Sequence, residues 1–368
     1  MKRQCMSHMP LSSACACGKR EIITIGVSCR RAPRLMPQFK DIFRFNTHSA
    51  LLAMPGFALL LVGGVSAGAA MPASIAAGAA FSVGFGATKR VFHNRWAAMT
   101  LAGIGMTLVA FIGTILGNDP YVTLAATALM GGLCGALISR DIDLWWVWLQ
   151  IIIAFLLALH FPGSVLDGLR RAVLVAGGSA IQIAAVGLMV GVIGEGKEIP
   201  AARSDRATRQ EMLLHALRAA LCITIAKVAA DKAGVEHGYW AALTAMVVLK
   251  PGLRDTGVRG IERIGGTVAG IVLATIVLHL LAAVPLPLAG AAVLSAGCAF
   301  GFQKARYAVL SAAITMSVIL MIALAGGEIK GAETDRLLAT LIGGAVALAG
   351  AMIAPRRLPG QRNADDNE

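Results

Sequence analysis

The stretch from His237 to Gly270 reads HGYWAALTAMVVLKPGLRDTGVRGIERIGGTVAG and decides the class of fold. It begins with an aromatic pair, crosses a short apolar run and reaches a break at Lys250-Pro251-Gly252. Arginines at 254, 259 and 263 follow before apolar, glycine-rich sequence resumes. A charged hinge between two apolar segments is costly unless it faces water or an anion. The pattern therefore indicates two membrane segments that turn at an aqueous boundary.

The composition of the whole chain agrees with a membrane protein. Hydrophobic residues make up 57% of the 368 residues and charged residues only 14%, and the mean hydropathy is +0.72. A soluble globular chain carries about 25% charged residues. The apolar part includes 42 glycines, and small residues let helices approach closely in lipid. We predict an all-α fold, a polytopic transmembrane helical bundle.

A helix needs about 20 mostly apolar residues to cross a bilayer. By this measure the chain contains about twelve spans in two sets of six. The first set lies within 47–194, the second within 213–355, and a polar linker, 195–212, joins them. The predicted spans are 49–69, 71–88, 96–117, 120–139, 145–162, 169–194, 213–233, 235–250, 261–283, 285–303, 306–326 and 334–354.

The two sets carry charged and small residues in the same order, which indicates an internal duplication. The matching runs are Arg95-Ala98-Ala102 with Arg263-Gly266-Gly270, and Arg170-Gly177 with Arg336-Gly343. Because six is an even number, both halves enter the membrane in the same orientation. They would be parallel repeats about an axis along the membrane normal, with any substrate path between them.

The formal net charge of +13 is explained by topology, so we expect no nucleic acid partner. Nearly all lysines and arginines lie in short loops on one side of the membrane, the distribution typical of cytoplasmic loops. We therefore expect a multi-pass protein of the bacterial inner membrane with both termini in the cytoplasm. The lipid bilayer is then its first partner.

The two ends of the chain differ from the apolar body. Residues 1–46 contain nine lysines and arginines and four of the seven cysteines, without the apolar centre of a secretory signal. We expect a disordered basic tail, or translation that starts at Met36 and leads directly into the first span. Residues 356–368 form a polar C-terminal tail.

Charged residues inside the predicted spans are the first candidates for function. Lys227 and Asp231 lie four residues apart in span seven and can pair on one helix face. Arg218 lies on the same span, nearer the cytoplasmic end. These residues either line a water-filled path or extend their charges to the membrane interfaces.

A second set of candidates follows from the opening stretch and its repeat partners. Arg259 and Arg263 share a helix face that continues to Gly266 and Gly270. The set either attracts anions at an inner vestibule or anchors the topology and packs helices. Arg170 and Arg336 lie at the predicted outer ends of spans six and twelve, where they either guide an anion outward or bond to loop carbonyls. The remaining candidates are Lys250, Arg254 and Arg95.

The sequence shows no pattern typical of an enzyme or of a cofactor site. His160, His237 and His279 are isolated, and no pair of them has metal-ligand spacing. No nucleophile is accompanied by a base. We therefore expect no cofactor, no bound metal and no catalytic residues.

The second half resembles the fusaric acid resistance protein-like family. The resemblance rests on Tyr239-Trp240-Ala241-Ala242-Leu243-Thr244, Lys250-Pro251-Gly252, Thr256, Arg259, Arg263, Gly265-Gly266-Thr267 and Gly270, and on Arg336 with Leu341-Ile342-Gly343-Gly344. It covers about 213–355. It implies bacterial cytoplasmic-membrane exporters of aromatic carboxylic acids, with related plant anion channels for malate. Typical members carry a large cytoplasmic region between the halves, where this chain has only the linker.

Three functions remain open at this level. The first is secondary transport that exports small organic anions such as aromatic carboxylates, with cations at the inner mouth, Lys227 further along the path and Asp231 as a candidate proton carrier. The second is a passive organic-anion channel, and the third is a membrane scaffold or assembly partner without transport. A homo-oligomer and a periplasmic adaptor are further candidate partners.

Overall fold

The computed structural model describes residues 43–195, 208–327 and 329–353, with side chains described from residue 333 onward in the last range. The predicted basic tail up to residue 42, including the start at Met36, lies outside these residues. So do most of the predicted linker and the C-terminal tail.

The described residues form twelve α-helices, numbered here in chain order. They are α1 (Thr47–Ser66), α2 (Ala70–Gly84), α3 (Arg95–Leu116), α4 (Pro120–Ile138), α5 (Ile142–His160), α6 (Val165–Ile193), α7 (Arg209–Lys232), α8 (Tyr239–Val248), α9 (Leu253–Leu281), α10 (Pro285–Gly301), α11 (Tyr307–Leu324) and α12 (Ile329–Ile353). Short 3-10 turns follow α2 (Phe85–Thr88) and α10 (Phe302–Lys304).

Eleven of these twelve helices are long and apolar enough to cross a membrane, judged by length and composition. The exception is α8, which has ten residues. The fold class predicted from the sequence, an all-α polytopic bundle, is confirmed. The helix count also agrees with the prediction of about twelve spans, although the eighth is shorter than the predicted 235–250.

Polar residues in the connecting loops determine where several helices begin. The side chain of Asn94 caps α3, and Asp119 caps α4, whose first residue is Pro120. Ser164 and Thr208 form capping boxes at the starts of α6 and α7. These caps satisfy backbone N–H groups that have no partner inside the helix.

The helices of the two halves pack in the same pattern. In the first half, α3 packs on α5 and α6, and α2 packs on α1 and α6. In the second half, α9 packs on α11 and α12, and α8 packs on α7 and α12. Each pair in the second half is the first-half pair with six added to both helix numbers. The packing therefore supports a duplicated six-helix unit, while the exact boundaries 47–194 and 213–355 stay predictions.

Glycine contacts show which residues of α6 and α12 occupy equivalent positions in the two halves. Gly178 of α6 lies against the carbonyl oxygen of Ala76 in α2, and Gly343 of α12 lies against the carbonyl oxygen of Ala241 in α8. Gly178 therefore corresponds to Gly343. The residue seven positions before Gly178 is Arg171, so Arg171 and not Arg170 corresponds structurally to Arg336.

The two halves meet at two equivalent seams, α4 against α7 and α10 against α1. Gly131 and Gly135 of α4 approach Ile223 and Ala219 of α7. Two glycines of α10 have the same four-residue spacing, and Gly297 approaches Met54 of α1 while Gly301 approaches Phe45, two residues before α1. Small residues four apart allow this close helix contact in lipid.

Candidate functional site

Arg263 lies inside the second half, where α9 packs on α11. One turn later, Gly266 brings α9 against Ser311 and the carbonyl oxygen of Ala308. This close approach places Arg263 Nη1 3.3 Å from Tyr307 Oη and 3.3 Å from Ser311 Oγ, to which it donates hydrogen bonds. Arg263 is 7% exposed. Its cation is thus held in the helix interface by neutral hydroxyl groups.

Arg259 lies one helical turn before Arg263 on the same face of α9. Its guanidinium carbon is 3.5 Å from the centre of the Tyr307 ring. Tyr307 therefore contacts both arginines, one through its ring and the other through its hydroxyl group. A phenol ring in this position attracts a cation through its negative face.

Arg336 of α12 is deeply buried, with 3% of its surface exposed, as is Arg95 in the first half. Its guanidinium carbon lies 3.9 Å from the centre of the Trp240 ring in α8. Nε, Nη1 and Nη2 are all buried, and none makes a hydrogen bond with a described residue. Arg263, Tyr239 and Tyr307 lie within its electrostatic range. Two buried arginines and three aromatic side chains thus lie in the same part of the second half.

The equivalent arginines of the first half have different partners. Arg171 Nη1 donates to Thr114 Oγ1 at 2.6 Å and to the carbonyl oxygen of Phe161 at 2.8 Å. Arg95 forms an ion pair with Glu195, with an N–O distance of 3.4 Å. Both arginines therefore have oxygen partners, Arg171 within the first half and Arg95 at the residue that begins the linker.

Further hydroxyl groups continue the polar lining beyond Arg263. Thr267 lies one turn after Arg263 on α9, and Thr315 lies one turn after Ser311 on α11. Both hydroxyl oxygens are buried and make no hydrogen bond with a described residue. The interface between α9 and α11 thus offers hydrogen-bond donors over two helical turns.

Lys227 and Asp231 pair on α7, as their spacing predicted. Nζ of Lys227 lies 2.7 Å from Oδ2 of Asp231, and their side chains are 18% and 47% exposed. Both charges act electrostatically on His160. The ring centres of His160 lie 5.2 Å from His237 and 4.8 Å from Tyr239. An aromatic layer therefore connects this ion pair to the surroundings of Arg336.

Lys250 lies at the opposite end of α8, in the loop before α9. Its Nζ is 4.5 Å from the centre of the Trp145 ring. Burial, followed by the positive charge of Arg259, lowers the pKa of Lys250 to about 7. Arg218 also reaches this loop, where Nη2 lies 3.3 Å from the carbonyl oxygen of Pro251 and 2.9 Å from Nδ1 of His215.

The structure brings together only part of the predicted set. Arg254 and Arg170 are exposed, and Arg170 pairs with Asp167 at 3.8 Å. The sequence reasoning did not single out Tyr307 or Arg171. One signal for Tyr307 was available, because the chain has only three tyrosines and two of them, Tyr239 and Tyr307, surround the buried arginines.

These features define a multi-pass α-helical membrane protein with an arginine-rich, aromatic interior in its second half. Residues 221–350 match the family model described as fusaric acid resistance protein-like. The resemblance predicted from the sequence is thus confirmed for this part of the chain. Arg263, Arg336, Trp240 and Tyr307 all lie within the matched residues.

Three curated relatives match a similar length of chain. An uncharacterized protein of Haemophilus influenzae is 31% identical over 133 residues, which is 36% of this chain and 18% of the relative. The uncharacterized protein ORF2 of Neisseria gonorrhoeae is 28% identical over 137 residues, 37% of this chain and 32% of the relative. Inner membrane protein YccS of Escherichia coli (strain K12) is 33% identical over 135 residues, 37% of this chain and 18% of the relative.

The matched segment therefore spans between about a fifth and a third of the length of these relatives. No solved structure matches this chain.

Proposed function

We propose that this protein transports small organic anions, with aromatic carboxylates as the preferred class, through the second half of the bundle. The observation that carries the proposal is Arg336. Its buried guanidinium group has an aromatic stacking partner and an arginine neighbour, and no described residue accepts a hydrogen bond from it. Two guanidinium groups match the geometry of a carboxylate, which accepts paired hydrogen bonds.

Arg336 and Arg171 occupy equivalent positions but differ in how their charges are compensated. Burying an uncompensated charge costs several kcal/mol, so a purely structural arginine acquires oxygen partners, as Arg171 does. Arg336 instead lies within the electrostatic range of a second cation, Arg263. An anion that passes between Arg336 and Arg263 would compensate both charges. This difference between equivalent positions favours a role in binding over a role in packing.

The aromatic lining supports the substrate class. Trp240 and Tyr307 present ring faces to the arginines, and the Tyr239 ring contacts that of Trp240 with ring centres 4.8 Å apart and planes tilted by 35°. A flat apolar ring attached to a carboxylate would contact these rings while its charge meets the guanidinium groups. The description of the matching family, fusaric acid resistance protein-like, agrees with an aromatic acid.

The proposed path has three stages. Lys250 and Arg259 would collect anions at the loop end of α8, Arg263 and Arg336 would hold them midway, and Lys227 would receive them at the other end. Asp231 lies 2.7 Å from Lys227 on the same helix. We therefore propose that Asp231 positions the ammonium group of Lys227, and that it would carry the proton if the transport is proton-coupled.

We place the protein in the bacterial inner membrane with both termini cytoplasmic and α8 leading from the outer side inward. The concentration of cations in loops on one side supports this orientation, and one relative is named an inner membrane protein. The lipid bilayer surrounds the helices. Homo-oligomers and a periplasmic adaptor remain proposals for the assembled protein.

The test is accumulation of labelled benzoate in inverted membrane vesicles under an imposed pH gradient. We expect wild type to accumulate it, and Arg336→Ala to reduce the initial rate at least tenfold. The exposed variant Arg170→Ala serves as the matched control and should keep the rate. Vesicles in which wild type and Arg336→Ala behave alike, at equal protein amounts, would contradict the proposal.

The same vesicles separate the alternatives. Secondary transport predicts accumulation above equilibrium that collapses when the gradient is removed. A passive channel predicts flux only down the gradient, and a scaffold predicts no flux above that of vesicles without the protein.

A further inference from the structure

Three potential metal ligands meet at the end of the bundle that lies beyond Arg336. Glu236 and His237 lie in the turn between α7 and α8, and Asp335 lies in α12. One ligand atom from each residue, a carboxylate oxygen or an imidazole nitrogen, lies within 4.8 Å of the other two. Almost a hundred residues separate His237 from Asp335, so the sequence spacing could not show this group.

The fold holds two of these ligands in place. Oδ2 of Asp335 lies 3.2 Å from Nδ1 of His237 and accepts a hydrogen bond of 3.2 Å from its backbone N–H. Gly234, with φ of +73°, permits the tight turn that leads from α7 to His237. Stacking of Arg336 on Trp240 fixes α12 against the start of α8 a few residues away. The two ligands therefore belong to a packed junction between the α7–α8 turn and α12.

The group is open to solvent yet partly enclosed. The side chains of His237 and Asp335 are 24% and 15% exposed, and Glu236 is exposed. The His160 ring lies 5.2 Å from the His237 ring. A second imidazole is thus close to the three ligands. Because the group is open to solvent, water could also complete a coordination sphere.

We propose that Glu236, His237 and Asp335 bind a first-row divalent transition metal ion, with Zn²⁺ as the representative. One imidazole and two carboxylates are ligands that Zn²⁺ accepts, at about 2.0–2.2 Å from the ion. Ligand atoms in such a site lie about 3.3 Å apart, so the observed group needs only a small contraction. Imidazole favours zinc over magnesium and calcium, which prefer sites built of oxygen alone.

A metal ion at this position would join the α7–α8 turn to α12. Asp335 is the direct neighbour of Arg336, and His237 is two residues from Tyr239. The ion would therefore stabilise the junction that positions the interior arginine. This inference does not depend on the transport proposal, because metal binding is measured directly.

The test is calorimetric titration of the purified full chain, carrying a tag without histidine, with ZnCl₂. We expect one saturable site per chain, no comparable signal with MgCl₂ or CaCl₂, and tetrahedral absorption bands when Co²⁺ replaces zinc. His237→Gln and Glu236→Gln should each weaken the binding at least tenfold. Glu236 is exposed, so its substitution leaves the packing intact.

His279→Gln is the matched control, because His279 is an exposed histidine in the last turn of α9. It should bind zinc as wild type does. The proposal is overturned if wild type shows no saturable site, if both ligand variants titrate as wild type, or if the control loses binding to the same extent as they do.

Discussion

Arg336 and Arg171 occupy equivalent positions in the two halves, and their surroundings separate a functional arginine from a structural one. Arg171 is held by the hydroxyl of Thr114 and the carbonyl of Phe161. Arg336 is held by the ring of Trp240. An aromatic face orients a guanidinium group, and the N–H groups in the guanidinium plane stay free to donate hydrogen bonds to a ligand. The second half therefore retains hydrogen-bonding capacity that the first half has used.

Trp240 should consequently set substrate affinity. We expect Trp240→Leu to raise the KM for benzoate about 3- to 30-fold, the range of a lost cation–π contact of about 0.7–2 kcal/mol. The measurement is the concentration dependence of the initial rate in vesicles. Trp96→Leu, a change in the first half, is the control and should keep the KM. An unchanged KM in Trp240→Leu would show that the contact between Trp240 and Arg336 does not contribute to substrate binding.

Lys250 should make anion uptake depend on pH near neutrality. Burial lowers its pKa to about 7, so the ammonium form dominates at pH 6 and the neutral form at pH 8. Flux of benzenesulfonate, which stays ionised throughout, should therefore fall between pH 6 and pH 8. Lys250→Arg should keep the flux at pH 8, and Lys250→Met should give a low, flat profile. A wild-type profile without this step would exclude Lys250 as the collecting cation.

Sequence reasoning found most of the charged residues but not their arrangement. The pairing of Lys227 with Asp231 was predictable because both lie on one helix. The contact of Arg336 with Trp240 joins residues 96 positions apart, and no local pattern indicates it. The expected place of Arg336 at the outer end of its span stays a prediction, and the sequence did not indicate that packing would leave only 3% of this residue exposed.

At the scale of elements, α8 shows why predicted boundaries fail near functional positions. The apolar run predicted a span over 235–250, but the helix covers only Tyr239–Val248. The positive φ of Gly234 turns the chain before the helix begins. Pro251 disfavours helical backbone in the residue before it. The shortened helix places Trp240 and Lys250 at its two ends, close to the buried arginines and to the loop respectively.

The glycines of α6 and α12 give a prediction with a control at the next residue. Gly178→Ala and Gly343→Ala should each destabilise the protein by about 1–3 kcal/mol, because the new methyl group meets the backbone of α2 or α8. The methyl groups added by Gly177→Ala and Gly344→Ala would meet no neighbouring atom, so these two substitutions should be neutral or slightly stabilising. Thermal unfolding in detergent measures all four. If Gly177→Ala destabilised the protein as much as Gly178→Ala, or Gly344→Ala as much as Gly343→Ala, the alignment of Gly178 with Gly343 would be contradicted.

At the scale of the whole molecule, two equivalent seams join two equivalent halves, and this agrees with a duplication inferred from weak sequence matches. The lengths of the apolar runs were sufficient to predict six helices in each half, and the order of charged and small residues indicated the duplication. The alignment of α6 with α12 was predicted one residue out of place. Adjacent arginines and adjacent glycines, Arg170-Arg171 and Gly177-Gly178, allow two alignments that only the packing distinguishes.

The proposed orientation can be tested by cysteine labelling. In a variant without native cysteines, Asn118→Cys should react with an impermeant thiol reagent in intact cells, because the loop between α3 and α4 would face outward. Arg140→Cys, in the exposed loop between α4 and α5, should react only after the membrane is permeabilised. The reverse result would invert the topology.

The central claim is that Arg336 and Arg263 bind a carboxylate between them. Equilibrium binding of benzoate and of its neutral amide to the purified protein tests this claim most directly. We predict saturable binding of benzoate, at least tenfold weaker binding of benzamide, and loss of benzoate binding in Arg336→Met while Arg170→Met binds as wild type. Equal affinity for the acid and the amide, or undiminished benzoate binding in a folded Arg336→Met protein, would contradict the claim.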